Sequence, residues 1–342
     1  MALNQLRESP SFGFIDWTLR GVGQVVFQNN PWSGLVILLG ILFNSWIYAM
    51  VCVVGVLASM GTAILLKADR ALIRDGLFGF NGALVALALI AFSSANFQTG
   101  AIPSPAMWFY LVCGAALSTM AFSAIATLLG PHKVAPLTMP FVLIGWLFLF
   151  AILKFDVIHA GPMLKPVSPD QFSYTEPYVT STWYVGIGTS IGQIFFQDNW
   201  ITGYIILIGI LIHSRIGGGM CLLGAIVGTV VAAIFGGPEG AIRDGLFGYN
   251  SALTAMALGG FFLVFTWSSF FYAIFGAVVS AWMWASIAIF LKPISMPVLT
   301  SAFVVVTWLM LIGQYAFKAL VPVPPAEATT PEDNRRRYTA TQ

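Results

Sequence analysis

The sequence predicts an all-α polytopic membrane protein built from two inverted repeats, each with five transmembrane helices and one re-entrant half-helix. The first observation behind this prediction is composition: 58% of the 342 residues are hydrophobic and only 8% are charged, whereas a soluble domain has about 25% charged residues. The second is that long stretches, such as 33–66 and 245–291, carry no charge at all. The third is an internal repeat. Soluble enzymes, nucleic-acid-binding proteins and disordered proteins are excluded, and the long continuous apolar runs exclude a transmembrane β-barrel.

The repeat consists of four sequence blocks that occur twice in the same order. They are residues 23–30, 38–42, 73–81 and 131–146, which recur at 192–199, 207–211, 242–250 and 293–308. The first three blocks recur 169 positions later and the fourth 162 positions later. The change in offset predicts that the first half has the longer connection, between Ser93 and Pro105. Four blocks in one order indicate a duplicated half.

Each half begins with a short segment of mixed polarity, 17–30 or 186–199, which is too short and too polar to cross a membrane alone. Each such segment is predicted to be a re-entrant half-helix. Five apolar stretches follow in each half, and each is predicted to cross, since a span needs about 20 residues. The stretches are 33–45, 47–66, 76–93, 105–129 and 137–153, then 201–214, 217–236, 245–266, 268–291 and 297–318. Because five is odd, the second half enters from the opposite face, as in many transporters.

The placement of positive charge predicts the orientation. With the N-terminus inside, eleven of the fifteen Lys and Arg residues fall in inner segments, and four fall in outer segments. Inner loops of membrane proteins are enriched in positive charge, so both termini are predicted to be cytoplasmic. The predicted parts are an N-terminal cytoplasmic segment (1–16), the first inverted repeat (17–153), an extracytoplasmic connection (154–185), the second inverted repeat (186–320) and a disordered cytoplasmic tail (321–342). The tail prediction rests on its Pro, Thr and charge content.

Proline flanks a matched threonine in both halves. Pro136 and Pro140 lie on either side of Thr138, and Pro297 lies three residues before Thr300. Because proline lacks an amide donor and frees a carbonyl, each final helix is predicted to be interrupted near its threonine, with carbonyls and a hydroxyl exposed at membrane depth. For a single site of this kind, the alternative is a simple kink whose freed carbonyl accepts a hydrogen bond from a neighbouring helix. Two sites at matched positions favour a binding site.

Other polar and aromatic residues are duplicated in the same way. They are Gln24 with Phe27 and Gln193 with Phe196, each pair sharing one helical face, then Phe80 and Tyr249, with Leu84 and Leu253 one turn further. A single aromatic residue in a membrane protein usually serves packing, and the duplication is what marks these. Arg74–Asp75 and Arg243–Asp244 fit a structural anchor at a helix start better than a contact with solute.

The chemistry missing from the predicted spans is equally informative. Proton or ion coupling normally places acidic, basic or His residues inside the spans. Apart from Lys318 at the very end of the last stretch, His213 is the only residue of that kind there, and its matched position is Asn44. The sequence shows no phosphate-binding loop, no metal-ligand cluster and no paired carboxylates, and its three cysteines lie in apolar runs. We therefore expect no cofactor, no metal and no enzymatic activity. The expected solute is uncharged, polar and transported downhill.

These residues resemble the urea transporters. That family carries the motif Leu-Pro-x-x-Thr-x-Pro-Phe once per half, and this chain has Val134-Ala-Pro-Leu-Thr138-Met-Pro140-Phe141 and Met296-Pro297-Val-Leu-Thr300-Ser-Ala-Phe303. The first copy lacks the Leu and the leading Pro, and the second lacks the Leu and the trailing Pro. With the other blocks, the resemblance covers about residues 17–320.

The resemblance implies a homotrimer in the plasma (inner) membrane, with one pore per protomer through a neutral slot between the two repeats. It implies channel-like facilitated diffusion of urea, with no nucleic-acid partner and with membrane lipid around the protein. By position, the substrate-binding residues would be Gln24, Phe27, Phe80, Leu84 and Thr138 in one half, and Gln193, Phe196, Tyr249, Leu253 and Thr300 in the other. Tyr249, where the first half has Phe, predicts that one mouth of the pore is more polar.

Two other function classes stay open at this point. An ion-coupled secondary transporter of a small neutral amide or nucleobase would show flux that responds to a proton or sodium gradient. The lack of acidic residues in the spans counts against it. A membrane-embedded enzyme would need a nucleophile–base pair or paired carboxylates, and the sequence offers neither.

Overall fold

Apolar composition and helix periodicity produce an all-helical chain. The structure is a computed structural model that describes residues 12–93, 97, 100–155, 158, 161, 164 and 177–340. Within these residues there are fifteen α-helices and a single isolated β-bridge, which confirms the predicted all-α class. Most of the predicted N-terminal segment and of the predicted connection at 154–185 lie outside the described residues.

The first half contains seven α-helices. They are α1 (Phe12–Gln24), α2 (Pro31–Asn44), α3 (Trp46–Leu65), α4 (Arg70–Arg74), α5 (Gly79–Ser93), α6 (Pro105–Leu129) and α7 (Met139–Ile152). The second half contains α8 (Thr180–Gln193), α9 (Trp200–His213), α10 (Arg215–Ile234), α11 (Glu239–Arg243), α12 (Gly248–Met256), α13 (Trp267–Leu291) and α14 (Ser301–Gly313). A last helix, α15, spans Pro331–Ala340.

The helix boundaries of the two halves match at the offsets of the sequence repeat. Helices α2, α3 and α4 begin and end 169 positions before α9, α10 and α11, and α6 does so 162 positions before α13. The start signals match as well, since the Asn30 side chain accepts hydrogen bonds from two amides at the start of α2, and Asn199 does the same for α9. The longer connection of the first half lies between α5 and α6, as predicted. The inverted relation of the halves in a membrane stays a prediction.

All ten predicted apolar stretches contain helices, but of unequal length. Four of the described helical segments are long and apolar enough to cross a membrane alone: 46–65, 105–132, 215–234 and 267–294. Shorter apolar helices such as α2 and α9 have 14 residues, or about 21 Å at 1.5 Å per residue, against a hydrocarbon core of about 30 Å. The protein is therefore multi-pass, and the number of ten crossings stays a prediction.

Two predicted features lie at shifted positions. The first helix of each half begins at Phe12 or Thr180, five or six residues before the predicted segment, and ends at its glutamine. The break near each threonine lies between two helices, because Thr138 and Thr300 directly precede α7 and α14. The predicted interruption inside the final helix is therefore a non-helical connection that ends where that helix begins.

The described chain divides into two compact units, residues 1–127 with 138–165 and residues 128–137 with 166–342. In the first unit, α3 packs closely on α5, and a Cβ on Gly55 would lie 2.5 Å from the carbonyl oxygen of Gly82. In the second unit, α10 packs on α12, and a Cβ on Gly224 would lie 2.5 Å from the carbonyl oxygen of Ser251. Only glycine fits at these two matched positions, which bring the site-bearing helices α5 and α12 against their neighbours.

The prediction of a disordered tail is wrong for residues 321–340. The backbone of Val323 donates to the carbonyl of Phe262 at 2.9 Å, and the amide of Val264 donates to the carbonyl of Val321 at 2.9 Å. In the first unit the matched position, Gly161, donates to the carbonyl of Phe92 at 2.8 Å. The chain after each final helix thus pairs with the end of a site-bearing helix, a relation that composition does not reveal.

A kink at the end of α12 gives the tail its docking point. Helix α12 continues as one π-helical turn, Ala257–Phe261, in which Gly260 has φ = 134°. At this break the Asn334 side chain donates to the carbonyls of Gly260 and Phe261 at 2.9 and 3.0 Å. The Glu332 carboxylate accepts from the amide of Ile216 at 2.8 Å and so caps the start of α10.

Candidate functional site

The first helix of each half ends in the same tight turn, which sets the backbone of Phe27 and Phe196. The amide of Gln28 donates to the carbonyl of Gly23 at 3.0 Å, and the amide of Phe27 donates to that of Gln24 at 3.1 Å. Both matched bonds of the second half measure 3.1 Å. Phe27 and Phe196 occupy the left-handed position of this turn, with φ = 62° and 58°, where glycine is usual. A bulky residue there costs about 1 kcal/mol or more and marks both rings as functional candidates.

The two glutamines lie at the ends of these helices, and their amides are used differently. Gln24 is buried, and its side-chain nitrogen donates to the carbonyl of Asp75 at 2.8 Å. Its amide oxygen accepts no hydrogen bond from the residues that the structure describes, so it is available to a solute donor. Gln193 is half-buried, and its side-chain amide makes no hydrogen bond within the described part of the chain.

In the first unit, Phe80 lies in the first turn of α5 and is buried, with Leu84 one turn further and 1% exposed. The ring of Phe80 meets the ring of Phe122 on α6 edge-on, with centroids 5.9 Å apart and planes at 88°. Asn81, the last residue of the repeated block, accepts a hydrogen bond from the amide of Phe141 at 3.0 Å. Helix α5 therefore holds the start of α7, directly after the buried Thr138.

In the second unit, Tyr249 occupies the position that Phe80 has in the first. It is buried, and its hydroxyl donates to the carbonyl of Leu299 while accepting a hydrogen bond from the indole nitrogen of Trp284 at 3.2 Å. The hydroxyl is thus used inside the protein, and the expectation that it makes one mouth more polar is wrong. The sequence could not reveal this, because Leu299 lies 50 residues away.

Asn250 repeats the role of Asn81. Its side-chain oxygen accepts from the amide of Phe303 at 2.8 Å, and its side-chain nitrogen donates to the carbonyl of Leu299 at 3.2 Å. Leu299 has φ = 51°, in the left-handed region, and precedes Thr300, which is 3% exposed. Leu253, on α12, is 1% exposed. Each unit therefore brings together the aromatic residue, the leucine one turn further and the segment that carries the threonine.

The Arg-Asp dipeptides make the structural contacts expected of an anchor. The guanidinium of Arg74 lies 5.9 Å from the ring centre of Trp17, and that of Arg243 donates to the hydroxyl of Ser181 at 2.9 Å. Burial raises the pKa of the Asp244 carboxyl, and the nearby carboxylates of Asp198 and Glu239 raise it further, while Arg243 lowers it. The ten candidate residues are all uncharged, and none of them takes part in these side-chain contacts, although Gln24 donates to the backbone carbonyl of Asp75.

Comparison with known proteins identifies the family. The family model described as "Urea transporter" matches residues 15–315. "Urea transporter 1" of Mus musculus is 30% identical over 98% of this chain and 86% of its own length, and "Urea transporter 1" of Ovis aries is 31% identical with the same coverage. The chain belongs to the urea transporter family. Membership confirms the resemblance drawn from the motif and makes the protein a transporter rather than an enzyme.

Within this urea transporter, the contacts of three residues next to the candidate site escaped the sequence analysis. The roles of Asn81 and Asn250 were visible only as the last letter of a duplicated block, although an amide side chain inside an apolar run was a usable signal. Trp308 on α14 donates from its indole nitrogen to the carbonyl of Ala135 at 2.9 Å. That bond holds the segment two residues before Leu137, which has φ = 54° and directly precedes Thr138.

Metal binding finds no support in the residues that the structure describes. Within them, no three His, Cys, Asp or Glu side chains are grouped so as to hold an ion. Cys52 and Cys221 are buried, and Cys113 is half-buried. The candidate site is thus a set of amides, hydroxyls, carbonyls and apolar rings.

Proposed function

We propose that this protein moves urea across the membrane by passive, channel-like facilitated diffusion, and that the ten duplicated residues line its path. Membership of the urea transporter family supports the substrate. The observation that carries the proposal within the chain is the amide oxygen of Gln24, a buried residue, because this oxygen accepts no hydrogen bond from the described residues. An acceptor of this kind suits a solute rich in N–H donors.

Urea is planar and uncharged, with four N–H donors and one carbonyl acceptor. In this proposal the amide oxygens of Gln24 and Gln193 accept its N–H groups at the two ends of the path, and the Gln193 nitrogen, which has no described partner, donates to its carbonyl. The hydroxyls of Thr138 and Thr300 replace further hydrogen bonds to water, each of which contributes about 1 kcal/mol. The carbonyl of Leu299 is excluded as an acceptor, because Tyr249 and Asn250 already donate to it.

The apolar members of the set discriminate by shape and charge. The rings of Phe27, Phe80, Phe196 and Tyr249 offer flat faces to a flat molecule, and Leu84 and Leu253 exclude hydrated ions. Because the set contains no carboxylate, amine or imidazole, nothing in it exchanges a proton near neutral pH, and transport follows the urea gradient.

The deciding experiment is stopped-flow urea efflux from proteoliposomes, measured with and without a proton or sodium gradient. Fast efflux that is independent of either gradient is the expected result. Efflux that appears only with a gradient would favour the ion-coupled transporter, and efflux equal to that of empty vesicles would refute urea transport.

Assembly and orientation are part of the same proposal. The protein is proposed to be a homotrimer with one path per protomer, in the plasma (inner) membrane and surrounded by lipid, with both termini cytoplasmic. Light scattering of the purified protein in detergent tests the trimer. A measured mass of one or two protomers would contradict it. Labelling of single cysteines placed at positions 12 and 340 with an impermeant reagent, in intact cells and in inverted vesicles, tests the orientation.

A further inference from the structure

The two halves differ at two neighbouring aromatic positions, and the two differences are chemically linked. The first half has Phe80 and Phe122, whose rings meet edge-on at 5.9 Å. The second half has Tyr249 and Trp284 at the same places, 169 and 162 positions later. There the indole nitrogen of Trp284 donates to the hydroxyl of Tyr249 at 3.2 Å. Both aromatic residues therefore gain a polar group in the second half, and the two groups bond to each other.

The bond between them is the first step of a chain of hydrogen bonds that ends at the path. Trp284 donates to Tyr249, and Tyr249 donates to the carbonyl of Leu299, which also accepts from the side chain of Asn250. With two donors, both lone pairs of that carbonyl are used. The backbone of Leu299 is in the left-handed region, and the chain of bonds holds its carbonyl, which is the group directly before Thr300.

Neither substitution alone would leave the polar groups paired. An indole at 284 without a hydroxyl at 249 would have no partner for its N–H, since Tyr249 is the only hydrogen-bond acceptor of Trp284 among the described residues. A hydroxyl at 249 without the indole would lose the donor that orients it. Trp284 is half-buried and Tyr249 is buried, and a donor that loses its acceptor at such a place is costly, so the two positions are expected to be coupled.

We propose that Trp284 is a positioning residue for urea passage in the second half: it does not touch urea but orients Tyr249, and through it the Leu299–Thr300 segment. This rests on the proposed function, in which Tyr249 and Thr300 line the path. The matched Phe122 serves the first half by ring contact alone, so the two halves hold their aromatic wall by different means.

The test is a double-variant cycle with Trp284→Phe, Tyr249→Phe and the two combined. Each single variant is expected to lower urea efflux by about threefold or more, the low end of the coupling seen between residues in contact. The double variant also lacks the Tyr249 hydroxyl, so it is expected to transport within about twofold of Tyr249→Phe alone, because Trp284 acts only through that hydroxyl. Phe122→Trp, with and without Phe80→Tyr, is the matched cycle in the first half.

A purely structural role is separated from positioning by the urea concentration at half-saturation. Positioning predicts that this concentration changes in Trp284→Phe and does not change further when Trp284→Phe is added to Tyr249→Phe, while the oligomer mass stays that of the parent. Single-variant effects that simply add would overturn the proposal. Should Trp284→Phe misfold, a double variant that folds and transports like Tyr249→Phe supports the coupling, and one that folds but transports less than Tyr249→Phe contradicts it.

Failure of the inference is distinct from failure of the proposed function. A parent protein without urea efflux refutes the proposed function. A parent protein with efflux, together with a Trp284→Phe variant of unchanged efflux and half-saturation, refutes only the positioning role of Trp284.

Discussion

The side-chain oxygen of Asn250 accepts a hydrogen bond from the backbone amide of Phe303 at 2.8 Å. Phe303 is the third residue of α14, so the asparagine satisfies an amide that the helix itself leaves open. Asn81 makes the same bond with Phe141 at 3.0 Å in the first half. A residue on one helix thus fixes the start of another helix, at the point where each half carries its threonine.

Replacing Asn250 by alanine removes both this cap and the donor to the carbonyl of Leu299. We expect a loss of stability of about 1–3 kcal/mol, because a buried amide is left without its acceptor. Thermal unfolding of the purified protein in detergent measures it. Asn81→Ala is the matched variant and is expected to lose stability in the same range. An Asn250→Ala protein as stable as the parent would show that the cap is dispensable.

Replacing Phe196 separates its ring from its backbone strain. Phe196→Gly removes both, and Phe196→Ala removes the ring but keeps a side chain in the left-handed region. We expect the glycine variant to be more stable than the alanine variant by about 1 kcal/mol. Both variants are expected to lose selectivity for urea over methylurea. A Phe196→Ala protein with the selectivity of the parent would show that the ring of Phe196 does not line the path.

Thr300→Val keeps the shape and β-branching of the residue and removes its hydroxyl. The side chain makes no capping bond to α14, so the helix start is expected to persist. Loss of one hydrogen bond to urea predicts a fall in efflux of about fivefold. Unchanged efflux from a folded protein would make Thr300 a packing residue.

Glu332→Ala tests whether the tail is part of the fold. The carboxylate accepts from Ile216 and from the hydroxyl of Ser214 at 2.8 Å each, so its removal is expected to cost about 1 kcal/mol. Asp333→Ala is the neighbouring control, since Asp333 pairs at 3.2 Å with the exposed Arg336, and such a surface pair contributes little. Equal effects of the two variants would contradict a docked tail.

Asp244 gives the stability a dependence on pH. Its pKa is raised in the folded protein by burial and by Asp198 and Glu239, so the folded state holds the proton more tightly than the unfolded state, and stability falls as pH rises through that pKa. Asp244→Asn is therefore expected to be more stable than the parent at pH 7, with the difference shrinking as the pH is lowered. A difference that stays constant with pH would contradict this.

Asp75→Asn is the control for that titration. Asp75 is the matched residue of the first half, where the counterparts of Asp198 and Glu239 are Asn29 and Arg70. Without two further carboxylates at those positions, the variant is expected to lack the gain in stability at pH 7. Melting temperatures of the three proteins between pH 5 and pH 7 make the comparison.

Much of the architecture follows from the printed residues, because local signals carry it. Apolar run length and the absence of charge predict helices, and the repeated blocks predict that helix ends recur at 169 and 162 positions, as those of α2 and α9 or α6 and α13 do. The candidate residues were found by the same duplication. Gln24 and Gln193 end their helices in matching turns, and Thr138 and Thr300 precede theirs.

The errors share one physical cause, which is that a partner far along the chain outweighs a local signal. Tyr249 is polar by composition, yet its hydroxyl is used by Leu299 and Trp284. The tail has a composition typical of disorder, yet the kink at Gly260 exposes carbonyls that Asn334 satisfies. Neither partner is visible from the segment itself.

The order of residues alone was enough to establish a duplicated, helical membrane protein with few charged residues and to single out its matched polar and aromatic residues, because hydrophobicity and repetition are properties of the linear chain. The orientation of those residues depends on packing. Asn81 and Asn250 cap helices 60 and 53 residues away, and Trp284 reaches Tyr249 across 35 residues. Hydrogen bonds of this kind exist only once the helices have packed, and they determine which polar groups remain available to a solute.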